Sequence, residues 1–226
     1  MTGRYNAVLF DLDGTLTDPF HGIANSIKYA LNKFGVHADD EQTLRACIGP
    51  PLLASFQKHF NLNERDARKA VAYYREYFSD KGLYENEVFP GIPRLLEELA
   101  AQRVCMVCAT SKPTPYARRI LEHFRLSQFL EFVIGSNMDL TRTDKKQIVH
   151  DVLEKLQMRA KEKAIMIGDR REDVEGARAN SIDAIGVTYG YGSEAEIRNA
   201  HADYLVRSVE ELGSLLKVLL ASGKTI

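Results

Sequence analysis

From about residue 88 onward, the sequence alternates short apolar runs with longer segments of helical periodicity. The apolar runs lie at residues 104–109, 131–134, 164–167 and 183–187, and a weaker run follows at residues 203–206. Apolar strands that are each followed by one amphipathic helix are typical of a parallel sheet with helices on both faces. Residues 6–10 have the same apolar character and add a first strand. The pattern therefore predicts an α/β fold built on a doubly wound parallel sheet.

Residues 17–87 interrupt this alternation, because they contain no convincing strand pattern. They carry apolar residues at helical spacing instead, first in the set Phe20, Ile23, Ile27, Ala30, Leu31 and Phe34, then in the set Ala67, Ala70, Val71, Tyr74 and Phe78. The sequence ENEVFPGIP at residues 85–93 contains the Pro and Gly that mark a return to the core. We therefore expect an all-helical insert at residues 17–87, placed within a core domain of residues 1–16 and 88–226.

The balance of charges excludes several classes of partner. The chain has 226 residues with 30 basic and 31 acidic side chains, so no net positive field attracts nucleic acid or an anionic membrane. No apolar run approaches the roughly 20 residues of a membrane span. The opening MTGRYNAVLF also lacks the segments of a secretion signal. We expect a cytoplasmic protein, a monomer or weak homodimer, that acts on a small molecule and binds neither nucleic acid nor membrane.

The chain has three cysteines, Cys47, Cys105 and Cys108, and this odd number argues against a secreted disulfide framework. The sequence CMVC at residues 105–108 has the spacing of a redox or zinc half-site. It lies inside an apolar run, however, where residues three apart point to opposite faces of a strand. We therefore interpret Cys105 and Cys108 as buried thiols.

Polar side chains follow the carboxyl ends of several predicted strands, where the loops of an open parallel sheet form its binding crevice. The first strand leads into two aspartates within the sequence VLFDLDGTLTD at residues 8–18. The residues at these ends are Asp11, Asp13, Thr110, Ser111, Lys112, Asp169 and Asp173, and Lys145 begins a predicted helix between the third and fourth strands. Together they predict one acidic pocket with hydroxyls and a lysine.

Asp11 and Asp13 are two residues apart on an extended segment, so their side chains can point to the same place. Grouped carboxylates need a counter-ion, because each disfavours the ionised form of the others. Oxygen ligands from Asp11, Asp169 and a backbone carbonyl suit Mg²⁺, which also binds phosphate oxygens. A phosphoryl group held there is open to attack by one aspartate, which forms an aspartyl phosphate. Gly14 permits close backbone approach, and the amides of the turn can cradle the phosphate.

Four sequence features in this order resemble the motifs of the haloacid dehalogenase-like phosphohydrolases. They are DLDGT at residues 11–15, ATSKP at 109–113, Lys145, and GDRREDV at 168–174. The resemblance covers nearly the whole chain and implies a Rossmann-like core with a helical cap inserted after the first motif. The sequences IGPPL at residues 48–52 and IDAIGVTYGYGS at 182–193 further resemble the subgroup of phosphoglycolate phosphatases and bacterial 5'-nucleotidases.

The resemblance implies a role for each matching residue. Asp11 matches the nucleophile, and Asp13 matches the acid/base that protonates the leaving oxygen and then activates water. Thr110 matches the phosphate-binding hydroxyl. Lys145 matches the lysine that steadies the nucleophile, and the neighbouring Lys146 is a less favoured alignment. Asp169 matches a direct Mg²⁺ ligand, and Asp173 a second acidic position in or near the metal's coordination shell.

The same resemblance implies the residues that hold substrate and metal. We expect the substrate to contact Gly14, Thr15, Thr110, Ser111 and Lys112, with Gly49 and Pro50 closing over it from the cap. We expect Mg²⁺ to be held by Asp11, Asp13, Asp169 and Asp173. Arg170 and Arg171 depart from the family pattern, which often has a small residue after Gly-Asp. They either contact the substrate phosphate or the cap, or pair with nearby acids such as Glu172 and Glu175, and we favour pairing.

The sequence thus predicts a Mg²⁺-dependent phosphatase that hydrolyses a small phosphomonoester through an aspartyl phosphate. The leading substrates are 5'-nucleotides and 2-phosphoglycolate. Asp13 favours a phosphatase over a dehalogenase, because phosphate-ester chemistry needs a proton donor there. The alternatives are a phosphomutase of the β-phosphoglucomutase type, a catalytically idle binding module with the same fold, and carbon–phosphorus cleavage through an imine on Lys28 or Lys58.

Overall fold

A computed structural model of the protein describes residues 5–157 and 164–221. The strands of the described residues are β1 (Ala7–Phe10), β2 (Thr17–Asp18), β3 (Glu87–Val88), β4 (Cys105–Pro113), β5 (Val133–Ser136), β6 (Ala164–Gly168), β7 (Asp183–Val187) and β8 (Tyr204–Val206). Six of them form one sheet in the order β5-β4-β1-β6-β7-β8, and every neighbouring pair is parallel. The predicted parallel sheet is confirmed.

The helices between β2 and β3 form the inserted unit. They are α1 (Phe20–Asn32), α2 (Glu41–Ala46), α3 (Leu52–Phe60) and α4 (Glu64–Tyr77), and a short π-helix follows at Phe78–Gly82. The apolar faces of α1 and α4 contribute its buried residues, including Ile27 and Val71. Asn63 caps α4 by accepting a hydrogen bond from the Asp66 backbone N–H. The helical periodicity read from the sequence is therefore present in this unit.

The remaining helices flank the sheet. They are α5 (Ile92–Ala101), α6 (Thr114–His123), α7 (Lys145–Lys155), α8 (Arg171–Ala179), α9 (Glu194–Asn199) and α10 (Val209–Ala221). From β1 the strand order runs outward through β4 and β5 on one side and through β6 to β8 on the other. This confirms the doubly wound α/β prediction. It also places the loop after β1 at the topological switch point, where ligands bind in such sheets.

The central strands β1 and β6 are buried along their whole length. Both faces of a parallel sheet are covered by helices, so its central strands consist of apolar residues without alternation. The register pairs Phe10 with Ile167, and the Asp11 backbone N–H extends this pairing to the Ile167 carbonyl at 2.9 Å. The residues that directly follow the two strands are therefore neighbours.

The contacts divide the chain into two compact units, residues 18–87 and the rest. Thr17, which the sequence assigns to the insert, falls in the unit that contains the sheet. Residues 1–4, 158–163 and 222–226 of the predicted core domain lie outside the described residues. No helix within residues 5–157 and 164–221 is both long and apolar enough to cross a membrane.

Two features of the strands differ from the sequence prediction. The short strands β2 and β3 are not predicted, and they pair with each other where the chain leaves and re-enters the sheet unit. β4 continues beyond residue 109 to Pro113, and its pairing shifts, with Thr110 opposite Gly135 and Pro113 opposite Ser136. Ser111 and Lys112 therefore lie in an irregular strand end rather than in the predicted loop.

The cysteines are free thiols, but only two of them are buried. Cys105, the first residue of β4, is partly exposed, which corrects the expectation of two buried thiols in the CMVC sequence. Burial raises the pKa of Cys47 to about 11 and raises the pKa of Cys108 further above its ordinary value. Raised thiol pKa values make Cys47 and Cys108 poor nucleophiles.

Candidate active site

Three aspartates from distant parts of the sequence meet at the carboxyl ends of β1 and β6. Asp11 directly follows β1, Asp169 directly follows β6, and Asp173 lies in the first turn of α8. One carboxylate oxygen of each aspartate lies within 4.8 Å of those of the other two. All three residues are buried. The structure therefore brings together three of the four aspartates that the sequence assigns to a metal site.

A buried lysine supplies positive charge to this acidic group. Lys145 is the first residue of α7, and its Nζ lies 2.9 Å from Asp11 Oδ1 and 2.6 Å from Asp173 Oδ1. The same Nζ donates a hydrogen bond to the Ala109 carbonyl at 3.0 Å. The ammonium is therefore in ionic contact with two carboxylates and hydrogen-bonded to one backbone carbonyl. Lys146 is exposed, so Lys145 is the lysine of the site.

Burial and mutual charge shift the pKa values of this group. Burial lowers the pKa of Lys145, but the charges of Asp11 and Asp173 outweigh burial and hold that pKa above its ordinary value. Burial raises the pKa of Asp173 to about 7, although Lys145 opposes the rise. Burial also raises the pKa of Asp169 well above its usual range, and the charges of Asp173 and Asp11 add to the effect. One ammonium therefore does not neutralise three buried carboxylates.

The donor set fits a divalent cation that prefers oxygen ligands. Asp169 is fully buried, and its carboxylate accepts hydrogen bonds from the Tyr191 backbone N–H at 2.7 Å and the Thr15 hydroxyl at 3.5 Å. These neutral donors do not cancel the charge that Asp169 adds to the group. A cation held by Asp11, Asp169 and Asp173 would cancel it. Carboxylate oxygens suit Mg²⁺, Ca²⁺ and Mn²⁺ alike.

The turn after Asp11 packs directly against Asp169. The Leu12 carbonyl accepts hydrogen bonds from the backbone N–H groups of Leu16 and Thr17, which closes the turn. Gly14 has a φ of 85°, and a Cβ added to it would lie 2.2 Å from Asp169 Oδ2. A side chain is disfavoured at this φ and has no room at this position. Glycine therefore allows the backbone of the turn to reach the edge of the acidic group.

Asp13 pairs with Lys112 rather than joining the other three aspartates. Lys112 Nζ donates to both Asp13 carboxylate oxygens, at 2.7 and 2.5 Å. The Lys112 side chain is 5% exposed and the Asp13 side chain is 12% exposed, so the pair is largely shielded from water. Burial raises the pKa of Asp13, and Lys112 opposes this rise. The expected contacts of Lys112 with substrate and of Asp13 with a metal stay predictions.

The other expected substrate contacts lie in two places. Thr110 is 1% exposed, and its hydroxyl accepts a hydrogen bond from the Lys112 backbone N–H at 3.2 Å, which fixes the end of β4. Ser111 is partly exposed beside it. Gly49 and Pro50 belong to the helical unit, and their closure over a substrate stays a prediction.

The two arginines after Asp169 pair with carboxylates. Arg171 lies 3.4 Å from Glu172 and 3.6 Å from Glu175, the acids named from the sequence. Arg170 is less exposed and pairs instead with Glu196 of α9, at 2.9 Å. Glu196 also accepts a hydrogen bond from the Arg171 backbone N–H, so it ties α9 to the start of α8.

Sequence reasoning missed the contribution of the loop after β7. Tyr191 donates its backbone N–H to Asp169, and the Tyr189 hydroxyl donates to the Thr15 carbonyl at 3.0 Å. A Cβ added to Gly190 would lie 2.2 Å from the Gly14 carbonyl oxygen. The sequence YGYG at residues 189–192 carries the signal, because glycine within a strand-to-helix connection permits a close backbone approach.

Proteins of known name resemble this chain over most of its length. A 5'-nucleotidase of Pseudomonas aeruginosa is 46% identical over 195 residues, which cover 86% of this chain and 88% of that protein. Tyrosine-protein kinase PtkA of Mycobacterium tuberculosis is 39% identical over 185 residues, which cover 82% of this chain and 62% of the kinase. A phosphoglycolate phosphatase of Yersinia pestis is 30% identical over 211 residues, which cover 91% of this chain and 90% of that protein.

Solved structures and a family model agree with these relatives. The crystal structure of a protein described as a predicted phosphatase from Clostridium acetobutylicum has a TM-score of 0.90 and 46% identity, covering 94% of this chain and 98% of that one. The family model described as haloacid dehalogenase-like hydrolase matches residues 8–187, which include all four motifs. This chain therefore belongs to the haloacid dehalogenase-like hydrolase family, as its motifs predict.

Proposed function

We propose that this protein is a Mg²⁺-dependent phosphatase that hydrolyses a small phosphomonoester through an aspartyl phosphate on Asp11. The observation that carries the proposal is the buried group of Asp11, Asp169 and Asp173 around the Lys145 ammonium. Phosphoryl transfer depends on positioning and on neutralisation of charge. This group places a carboxylate nucleophile beside both a lysine and a fitting cation site. Membership of a hydrolase family, with phosphatases among the relatives, supports the same chemistry.

Asp11 is the nucleophile in this proposal. Its contact with Lys145 engages Oδ1 and orients the carboxylate, which leaves Oδ2 as the attacking atom. Attack on phosphorus forms a bond to Oδ2 and breaks the bond between phosphorus and the ester oxygen. Lys145 and the backbone N–H groups of Leu12 and Asp13 stabilise the charge on the phosphoryl oxygens, since those of Gly14 and Thr15 donate within the turn. A divalent cation held by the three aspartates would neutralise further charge on those oxygens.

Asp13 moves the protons in both steps. It donates a proton to the leaving ester oxygen, and it then takes a proton from the water that attacks the aspartyl phosphate and releases Asp11. Burial raises the pKa of Asp13, which supports the protonated form that the first step needs. The contact with Lys112 supports the ionised form that the second step needs.

We assign the selection of substrate to residues 18–87. As a cap, this unit would admit the substrate and then exclude bulk water during phosphoryl transfer. Gly49 and Pro50 would close over the substrate in that arrangement. The near balance of 30 basic and 31 acidic side chains supports a small metabolite as the partner. We further propose that the protein acts in the cytoplasm as a monomer or weak homodimer.

The leading substrate classes are 5'-nucleotides and 2-phosphoglycolate. The 46% identity to a 5'-nucleotidase supports the first class, and the 30% identity to a phosphoglycolate phosphatase supports the second. The 39% identity to a tyrosine-protein kinase adds phosphotyrosine as a compound to be tested. We place 5'-nucleotides first, because the 5'-nucleotidase has the higher identity and is covered over 88% of its length.

A screen for phosphate release tests the proposal, with nucleoside 5'-monophosphates, 2-phosphoglycolate, sugar phosphates and phosphotyrosine each supplied with and without Mg²⁺. We expect Mg²⁺-dependent release from one of the first two classes. The release should be lost in Asp11→Asn, where an amide replaces the nucleophilic carboxylate, and retained in Asp39→Asn, which changes an exposed aspartate of the insert.

Two other results of the screen would contradict the proposal. Conversion of a sugar 1-phosphate into the 6-phosphate without phosphate release would identify a phosphomutase. The absence of Mg²⁺-dependent release from every compound, in protein that is folded, would favour a catalytically idle binding module.

A further inference from the structure

The side chain of Tyr189 ties the loop after β7 to the turn that carries Asp13. Its hydroxyl donates to the Thr15 carbonyl at 3.0 Å, and the two residues lie 174 positions apart in the sequence. The ring of Phe89 packs edge-on against the Tyr189 ring, with 5.1 Å between their centroids. Burial raises the pKa of the Tyr189 phenol, and the charge of Asp169 adds to the rise, so the hydroxyl stays a donor. The hydrogen bond of the Tyr189 hydroxyl therefore connects two distant segments of the chain.

The position of Asp13 depends on this turn. Within the turn, the Gly14 N–H donates to the Thr17 carbonyl at 2.8 Å, and the Leu12 carbonyl accepts from three later N–H groups. Asp13 and Thr17 also form an isolated β-bridge. These bonds fix the turn from within, and the Tyr189 hydroxyl holds it from a separate segment of the chain. A shift in the position of the Thr15 carbonyl would therefore move Asp13, which lies two residues earlier in the same turn.

The loop that carries Tyr189 is itself held in place on the sheet unit. Gly190 packs so closely that an added Cβ would lie 2.2 Å from the Gly14 carbonyl oxygen, and the Tyr191 N–H is bonded to Asp169. The Tyr189 hydroxyl is therefore a fixed point rather than a mobile surface group. A hydrogen-bond donor fixed in this way can hold the Asp13 carboxylate in position. Its position matters because proton transfer requires the reacting atoms to lie within hydrogen-bonding distance.

We propose that Tyr189 is a positioning residue that acts through the Thr15 carbonyl to place Asp13 for transfer of its proton to the leaving oxygen. This inference rests on the proposed phosphatase function and deepens it. Tyr189 itself does not contact the reacting atoms. Its loss should therefore slow the reaction most where the leaving oxygen depends most on the proton from Asp13.

The test compares Tyr189→Phe with the wild-type protein on two phosphate esters. One ester is p-nitrophenyl phosphate, whose leaving group departs without a proton, and the other is a simple alkyl phosphate, whose leaving group needs one. We expect kcat/KM on the alkyl ester, which reports the phosphorylation of Asp11 and the departure of the leaving group, to fall on the order of tenfold. On p-nitrophenyl phosphate the fall in kcat/KM should be less than about threefold, because proton donation to the leaving group matters little there. The substitution removes one hydroxyl and keeps the ring against Phe89.

The matched control is Tyr29→Phe, which removes a tyrosine hydroxyl bonded to Glu76 at 3.1 Å in the insert. It should leave kcat/KM on both esters unchanged. An equal fall on both esters in Tyr189→Phe, or no fall on either, would overturn the positioning role while the phosphatase function stands. A wild-type protein that hydrolyses neither ester nor any compound of the phosphate-release screen would overturn both. Thermal denaturation of the two variants verifies that each is folded during the assay.

Discussion

Replacement of Lys145 by methionine should destabilise the metal-free protein strongly. Lys145 Nζ contacts Asp11 Oδ1 at 2.9 Å and Asp173 Oδ1 at 2.6 Å, and its side chain is 3% exposed. Removing one partner of a buried ion pair typically costs about 3 to 5 kcal/mol, because the remaining charge is left buried without compensation. Methionine has a similar length and fills the space, so the loss reports charge rather than a cavity. We expect the free energy of unfolding in urea, with a chelator present at neutral pH, to fall by about this amount.

The neighbouring residue provides a matched control. Lys146 lies on the same turn of α7 but is exposed, so Lys146→Met should change the free energy of unfolding by no more than about 0.5 kcal/mol. Equal losses in the two variants would refute the assignment of Lys145 to the acidic group. A Lys145→Met protein as stable as the wild type would refute the physical reasoning as well.

The pH dependence of the same variant tests the cause of the loss. Without the ammonium, the Asp173 carboxylate, whose pKa burial already raises to about 7, is neutralised only by taking up a proton. The folded variant therefore binds more protons than its unfolded chain at mildly acidic pH, so its stability rises as the pH falls. We expect the difference between Lys145→Met and the wild type to be larger at about pH 8 than at about pH 5. A loss that does not vary with pH would point to packing instead of charge.

Three further changes have defined outcomes. Asp13→Asn should lower kcat on an alkyl phosphate by about 100-fold or more in steady-state kinetics, with calorimetry used to verify that the variant is folded although Lys112 loses its charge partner. Burial raises the pKa values of Asp169 and Asp173 in the metal-free protein, so protons compete with Mg²⁺ for these carboxylates. The rise in thermal midpoint caused by Mg²⁺ should therefore be larger at about pH 8 than at about pH 6. Gly14→Ala should weaken Mg²⁺ binding measured by titration calorimetry, because its Cβ would meet the Asp169 carboxylate; unchanged binding would contradict the geometry.

Local sequence patterns predict much of the sheet. The runs at residues 164–167 and 183–187 correspond to β6 (Ala164–Gly168) and β7 (Asp183–Val187), because buried parallel strands consist of continuous apolar residues. The run at residues 131–134 is displaced from β5 (Val133–Ser136), since an apolar run does not by itself specify which residues pair. The irregular end of β4 depends on its pairing with β5, which local pattern does not reveal.

Part of the site can also be predicted from local sequence patterns, whereas other contacts join residues that are distant in the sequence. The convergence of Asp11 and Asp169 follows from strand ends that meet at one edge of a parallel sheet. The Asp13 contact with Lys112 joins residues 99 positions apart, and the sequence offers several other partners for that lysine. The Tyr189 contact uses a backbone carbonyl as acceptor, and a carbonyl is present at every residue. Such a partner has no signature in the amino-acid sequence.

Direct detection of a phosphoryl group on Asp11 tests the central claim. In Asp13→Asn, p-nitrophenyl phosphate should still phosphorylate Asp11, because its leaving group needs no proton, whereas hydrolysis of the aspartyl phosphate should be slow without the base. Rapid acid quenching followed by peptide mass spectrometry should then find one added phosphoryl group on the peptide that contains Asp11, only when Mg²⁺ is present. Phosphate release by the wild-type protein, with that peptide unmodified or with the phosphoryl group on another residue, would contradict the proposed mechanism.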